Sequence, residues 1–176
     1  MTDRETGFRF LYSVEKTEDK GLGVIAREPI KKGSVVWRHI PGVFVVYDEH
    51  LFRAKIENMS PSDVVYELTH VHAFEEFPGC LIRALDDGIL INHSSDPNLA
   101  TNKSVPAETS FDVSSHQYLQ EVTEALVDNR YSLVATRDIE RGEELTEDYS
   151  TDDDCPAYYD LLYEQYGVRE DFLNDR

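Results

Sequence analysis

Basic residues are scarce in this 176-residue chain, where 17 Lys and Arg stand against 35 Asp and Glu for a formal net charge of −18 at pH 7. A phosphate-binding surface needs clustered Lys and Arg, so direct nucleic-acid binding is not expected. A negative field of this kind attracts cationic peptides and proteins, or serves only to keep the chain in solution. Cysteine is nearly absent too. Cys80 and Cys155 cannot build a disulfide framework, which suits a reducing compartment: the cytoplasm, or the nucleus in a eukaryote. Long apolar runs are missing, and the stretch from Val43 to Tyr47 falls far short of the ~20 residues that cross a bilayer. The start, Met1-Thr2-Asp3-Arg4-Glu5, has no cationic segment leading into an apolar one, so neither a secretory signal nor a membrane association is expected.

What is present describes one domain over residues 1–176: 40% hydrophobic and 11% aromatic residues, enough for a core without staples. Alternating Phe8, Phe10, Tyr12 and Val14 predict an opening strand, and Ser34 to His39 and Val43 to Tyr47 predict two more, broken by Pro41-Gly42. Ser60-Pro61 is a helix start, followed by an apolar stripe at Val64, Val65, Leu68 and Val71. Residues 103–127 are rich in Ser, Pro, Thr and Glu and read as an insertion into a core of about 8–150. Tyr131 to Thr136 returns to strand. Tyr159, Leu162, Tyr163 and Tyr166 then fall at i, i+3, i+4, i+7, predicting an aromatic helix over about 156–167 with Gly167 as its C-cap.

Two segments resemble each other: Ala26 to Gly33 and Thr136 to Gly142 each run from a strand end through an isoleucine to a charged glycine turn, which reads as shared turn architecture. His70 and His72, with Cys80 further on, lack the paired spacing of a zinc site, and no metal is expected. Asp152-Asp153-Asp154 lacks the glycine and distal glutamate of a calcium loop and reads as a solvated acidic turn.

Three stretches carry the chemistry. Lys20-Gly21-Leu22-Gly23 turns into a strand rather than a helix, which disfavours phosphate cradling and leaves either a plain hairpin or a close approach of backbone to a compact ligand. Cys80 to Leu85 and Gly88 to Ile91 predict strands flanking an Asp86-Asp87-Gly88 turn, so that Asn92 and His93 stand at a strand end before Asp96-Pro97 breaks it. Taken alone, that pair is a capped strand end or a ligand site. Glu143-Glu144-Leu145-Thr146-Glu147-Asp148-Tyr149 is the third.

In this order and at these separations, the three stretches resemble the SET domain of protein-lysine methyltransferases. The resemblance implies a mainly β fold with short helices, a β-clip of small sheets in which the Asn92 and Tyr149 segments thread past each other as a C-terminal pseudoknot. It implies S-adenosyl-L-methionine as cofactor, held by Lys20, Gly21, Leu22, Gly23, Asn92, His93 and Tyr149, with Tyr149 catalytic at the methyl-transfer centre. It also implies an aromatic of the lysine channel near His72 or Phe74. The chain departs from the zinc-containing members, which usually have cysteine where Ser95 stands here; the Tyr159 to Tyr166 helix would replace their lid. The implied substrate is a lysine side chain of a protein, a basic one given the chain's charge. The alternative is a SET-fold interaction module, weak or inactive as an enzyme, that binds basic partners.

Overall fold

The structure, a computed structural model, describes residues 5–18, 20–103, 111–127, 131–149 and 155–168. The Asp152-Asp153-Asp154 turn and residues 104–110 of the expected insertion lie outside them. Among the described residues, nine short strands form four small sheets. β1 (Tyr12–Lys16) and β2 (Leu22–Ala26) make an antiparallel hairpin. β3 (Val35–Arg38), β8 (Tyr131–Ala135) and β7 (Leu99–Lys103) form a three-stranded antiparallel sheet with β8 in the centre. β4 (Phe44–Tyr47) pairs with β5 (Leu81–Ala84). β6 (Asn92–His93) runs parallel to β9 (Thr146–Glu147), Asn92 opposite Thr146 and His93 opposite Glu147. The described residues also form four α-helices: α1 (Glu49–Ile56), α2 (Pro61–Leu68), α3 (Tyr118–Ala125) and α4 (Ala157–Tyr166). None is long and apolar enough to cross a membrane.

Local chemistry sets most boundaries. Ser60 caps α2 by accepting from the Asp63 amide at 3.2 Å, with Pro61 in the first position. Gly167 ends α4 in the left-handed region at φ 65°. The two similar segments face each other about a local two-fold. Ile30 and Ile139 exchange both backbone hydrogen bonds, at 2.9 and 2.8 Å, while the Gly33 amide donates to Ala135 and the Gly142 amide to Ala26, each at 2.8 Å. Each pair sits at the same offsets, so the shared turn pattern is also a shared contact.

Two expectations need correction. Residues 87–90 form a 3-10 turn, Asp87–Leu90, and not a strand. Asp86 explains it: its carboxylate accepts from the Gly88 amide at 3.0 Å, the Gly7 amide at 2.7 Å, the Thr6 hydroxyl at 2.8 Å and the Trp37 indole at 3.1 Å. A residue that satisfies four donors nucleates a turn more strongly than four apolar residues propagate a strand. Gly88 is required because the Trp37 ring packs on it; a Cβ there would sit 2.6 Å from the indole nitrogen. The opening strand, moreover, begins at Tyr12; Phe8 makes only an isolated bridge to Trp37.

The stretch from 111 to 127 holds more order than its composition suggests. Tyr118, Val122, Ala125 and Leu126 are buried on one side of α3, packed in a cluster with Phe44, Phe77 and Tyr131. Helix α1 was also hidden, although Asp48 caps it and Phe52 and Ile56 form its buried i, i+4 pair.

Candidate active site

The crossing of the Asn92 and Tyr149 segments is held by side chains as much as by the two-residue ladder. Asn98, almost fully buried, acts as a piece of strand: its Nδ2 donates to the Glu144 carbonyl at 2.7 Å and its Oδ1 accepts from the Thr146 amide at 2.9 Å. The Asn92 amide donates both to the Leu22 carbonyl at 3.0 Å and to Glu144 Oε1 at 2.7 Å. The Leu145 amide donates to Val24, 2.8 Å away. The glycine turn, the Asn-His segment and the Glu144 to Tyr149 segment are therefore brought together at one point, although up to 129 positions separate them in sequence.

A cavity of about 950 Å³ opens beside this crossing, at the upper end of the range for small-molecule sites. Among the expected residues, Lys20, Leu22, Asn92, Tyr149, His72 and Phe74 line it. Gly21, Gly23 and His93 are not in its wall but support it. The His93 carbonyl accepts from Lys20 Nζ at 2.9 Å, and His93 Nδ1 accepts from the Tyr149 amide at 3.1 Å. An acceptor at Nδ1 places the proton of a neutral ring on Nε2. Tyr149 turns its hydroxyl onto the Ile91 carbonyl. With its proton given to Ile91, that oxygen can otherwise act only as an acceptor.

The two glycines do different jobs. Gly21 sits at φ 83°, where any side chain is strained, so it makes the turn. Gly23 has ordinary backbone geometry but no room: a Cβ would lie 2.5 Å from Glu144 Oε1, 2.7 Å from Thr17 Cγ2 and 2.9 Å from Asn92 Nδ2. Gly23→Ala is therefore expected to push Asn92 and Glu144 apart and weaken ligand binding by at least ~10-fold, with little loss of global stability. Calorimetry and thermal melts on the same sample separate the two effects.

Helix α4 forms another side. Tyr159, Asp160, Tyr163 and Glu164 line the cavity, and the Tyr159 hydroxyl anchors the helix by donating to the Leu68 carbonyl at 2.6 Å. The aromatic helix is thus a wall of the cavity, joined to α2. Tyr158, outside the expected stripe, is buried as well. Charged side chains along the wall are mostly acidic, Glu147, Asp160 and Glu164 against Lys20, which favours a ligand carrying positive charge together with one anionic group for Lys20. Among the described residues no group of three or more His, Cys, Asp and Glu could hold a metal.

The other end is aromatic. Trp37, His39, His72, Phe74 and Tyr131 line it, with His72 edge-on to Phe74 at 5.2 Å and Phe74 4.6 Å from Tyr131. The sequence leaves His72 and Phe74 as alternatives; both are in the wall. His39 went unnoticed, since a lone histidine at the end of a strand has no distinguishing pattern. Burial lowers the pKa of His39 to about 4, and burial with the nearby His39 lowers that of His72 to about 3.

The sign of the consequence is fixed. With folded pKa values below the unfolded ~6.5, the unfolded chain takes up protons first on acidification. The stability due to a neutral imidazole is thus complete above about pH 6.5 and lost as pH falls toward the folded value. For His39 the loss between pH 7 and pH 5 is about 2 kcal/mol. Urea unfolding of wild type and His39→Asn at both pH values checks it: the wild type should lose about 2 kcal/mol more than the variant.

The family model for the SET domain matches residues 21–150. A search of curated proteins gives no match. Among solved structures, the Neurospora SET domain protein DIM-5, a histone lysine methyltransferase, has a TM-score of 0.52 at 22% identity, over 81% of this chain and 53% of that one. The methyltransferase domain of human histone-lysine N-methyltransferase SETMAR has a TM-score of 0.50 at 24% identity, over 81% of this chain and 45% of that one. KRYPTONITE in complex with mCHG DNA and SAH has 0.47 at 24% identity, over 81% and 24%. The chain therefore spans about a quarter to a half of the length of these chains. At these identities the likeness is one of fold.

Proposed function

We propose that this chain, which belongs to the SET domain family, is an S-adenosyl-L-methionine-dependent methyltransferase acting on a lysine side chain of a protein. The observation that carries the reading is the convergence of Lys20, Asn92 and Tyr149 on one cavity that has an acidic side and an aromatic end. Those residues fit the cofactor. Lys20 offers an ammonium to its carboxylate, and the acidic side chains favour its sulfonium. When bound, the cofactor supplies an electrophilic methyl group on a positively charged sulfur.

The chain's own residues then position and polarise. The aromatic end excludes water from the amine and favours its neutral form, whose pKa is ~10.4 in water. Tyr149, held by its amide on His93 and by its hydroxyl on Ile91, presents acceptor lone pairs that orient the incoming amine. The Ile91 carbonyl has a second lone pair to steady a partly positive methyl group. No carboxylate is needed as a base: Glu144 is engaged with Asn92 and Glu147 with the Thr101 hydroxyl at 2.9 Å. The net charge of −18 supports a basic protein as substrate, drawn in by the field.

Calorimetry with S-adenosyl-L-methionine tests the reading first, and binding in the micromolar range is expected. No heat at millimolar cofactor would leave only a SET-fold interaction module. Labelled-methyl transfer to a mixture of basic proteins, read by mass spectrometry, then identifies the modified lysine.

A further inference from the structure

One carboxylate in the cavity wall differs from the others in where it is held. Glu147 pairs with His93 across the crossing, and its carbonyl accepts from the Ser94 amide at 2.9 Å, so its backbone is fixed two residues before Tyr149. Its side chain reaches the neighbouring sheet. There Oε1 accepts from the Thr101 hydroxyl at 2.9 Å, and Thr101 lies opposite Leu133, two residues along β8 from Tyr131. Residues opposite one another, and residues two apart, share a face of a sheet. Thr101, Leu133 and Tyr131 therefore present one face, all three line the cavity, and the carboxylate is anchored there. Glu147 thus stands where the aromatic end meets Tyr149.

Its surroundings give that charge weight. Asp160 and Glu164 are exposed on α4, where water and salt weaken their pull, whereas Glu147 is half-buried. A lysine ammonium entering an aromatic channel gives up its hydration, which is costly for an unpaired charge. Ring faces return only part of that loss. A carboxylate fixed on the same wall offsets much of the remainder. The Thr101 bond orients the group, and a carboxylate accepts through both oxygens.

We propose that Glu147 docks the substrate: its carboxylate pairs with the ε-ammonium of a lysine lying along the aromatic end, so the cavity admits a cationic side chain and refuses a neutral one of similar length. This rests on the lysine-methylation reading. Glu147 is no base in the reaction. The paired ammonium releases one proton to solvent, the nitrogen lone pair forms the new nitrogen–carbon bond, and the sulfur–carbon bond breaks with its electron pair left on sulfur. An anion beside the amine favours the charged form, so docking and deprotonation pull in opposite directions.

Glu147→Gln separates docking from packing, since the amide oxygen still accepts from Thr101. With S-adenosylhomocysteine bound, calorimetry on wild type should show n-butylammonium binding at least ~10-fold more tightly than 1-butanol, and the variant should lose that preference. In methyl transfer to poly-L-lysine, KM should rise by ~10-fold or more with kcat not reduced. The variant's kcat should also reach its plateau at lower pH, because the amine has lost the anion that kept it protonated. Glu57→Gln removes one charge from the exposed end of α1, outside the cavity, and should change none of these. An unchanged KM and pH profile in Glu147→Gln overturns the proposal. So does a variant that keeps its preference for n-butylammonium but binds S-adenosyl-L-methionine, and not S-adenosylhomocysteine, more weakly: its carboxylate would then serve the sulfonium.

A second measurement needs no variant. The carboxylate ¹³C shift of Glu147 in wild type should move with n-butylammonium and stay fixed with 1-butanol at the same concentration. No movement, or equal movement with both, overturns the docking role even where methyl transfer is observed. Absence of cofactor binding, by contrast, sinks the enzymatic reading, and the same titration without cofactor then decides whether Glu147 holds an ammonium.

Discussion

Replacing Tyr149 by phenylalanine is expected to lower the methyl-transfer rate by on the order of 100-fold, with cofactor affinity changed by less than about 3-fold. The asymmetry follows from what the side chain does. Its ring stays, 5.6 Å from that of His93, and its amide still donates to His93, so the wall and the crossing survive. What is lost is the hydroxyl on the Ile91 carbonyl and, with it, the acceptor that the proposed reading assigns to the reacting amine. Groups that orient the nucleophile in the transition state show their loss in kcat, whereas uniform binding groups show it in KM. A rate within a few-fold of wild type would remove Tyr149 from the reacting centre and leave it as a brace. A parallel collapse of cofactor binding would mean that the Ile91 contact builds the cofactor surface itself.

Much of this site was legible in the chain because its parts are local and chemically marked. The turn Lys20 to Gly23, the Asn92-His93 pair and Tyr149 are each conspicuous against their neighbours, and the structure gathers all three. The Ser60 cap, the Gly167 terminus and the matched glycine turns were readable for the same reason, since each is decided within a few residues. What escaped depends on partners far away. Asp86 looks like a hairpin turn until Thr6 and Trp37 arrive from 80 and 49 positions off. His39 gains meaning only from Tyr131, 92 positions later. The separate duties of Gly21 and Gly23 are likewise invisible in sequence, one being a matter of φ and the other of what crowds against the α-carbon.

Asn98→Ala should be the most destabilising of the single changes at the crossing, at about 2–5 kcal/mol. The side chain is 2% exposed and both ends of its amide are used, toward Glu144 and Thr146. Truncation leaves a buried carbonyl and a buried amide with nowhere to turn, each costing about 1–3 kcal/mol. Water has little access there, and Thr146 is itself only 7% exposed. The neighbouring ladder cannot compensate, because β6 and β9 pair over just two residues each. Asn98→Asp should be no milder: a carboxylate cannot donate to the Glu144 carbonyl and would bring a buried charge beside it. Urea unfolding reads the cost as a fall in midpoint at constant m, with Ser95→Ala, an exposed change in the same segment, as the near-zero control. A loss within 0.5 kcal/mol of that control would mean that the crossing is held by the ladder and by Asn92, and that the cavity wall does not depend on Asn98.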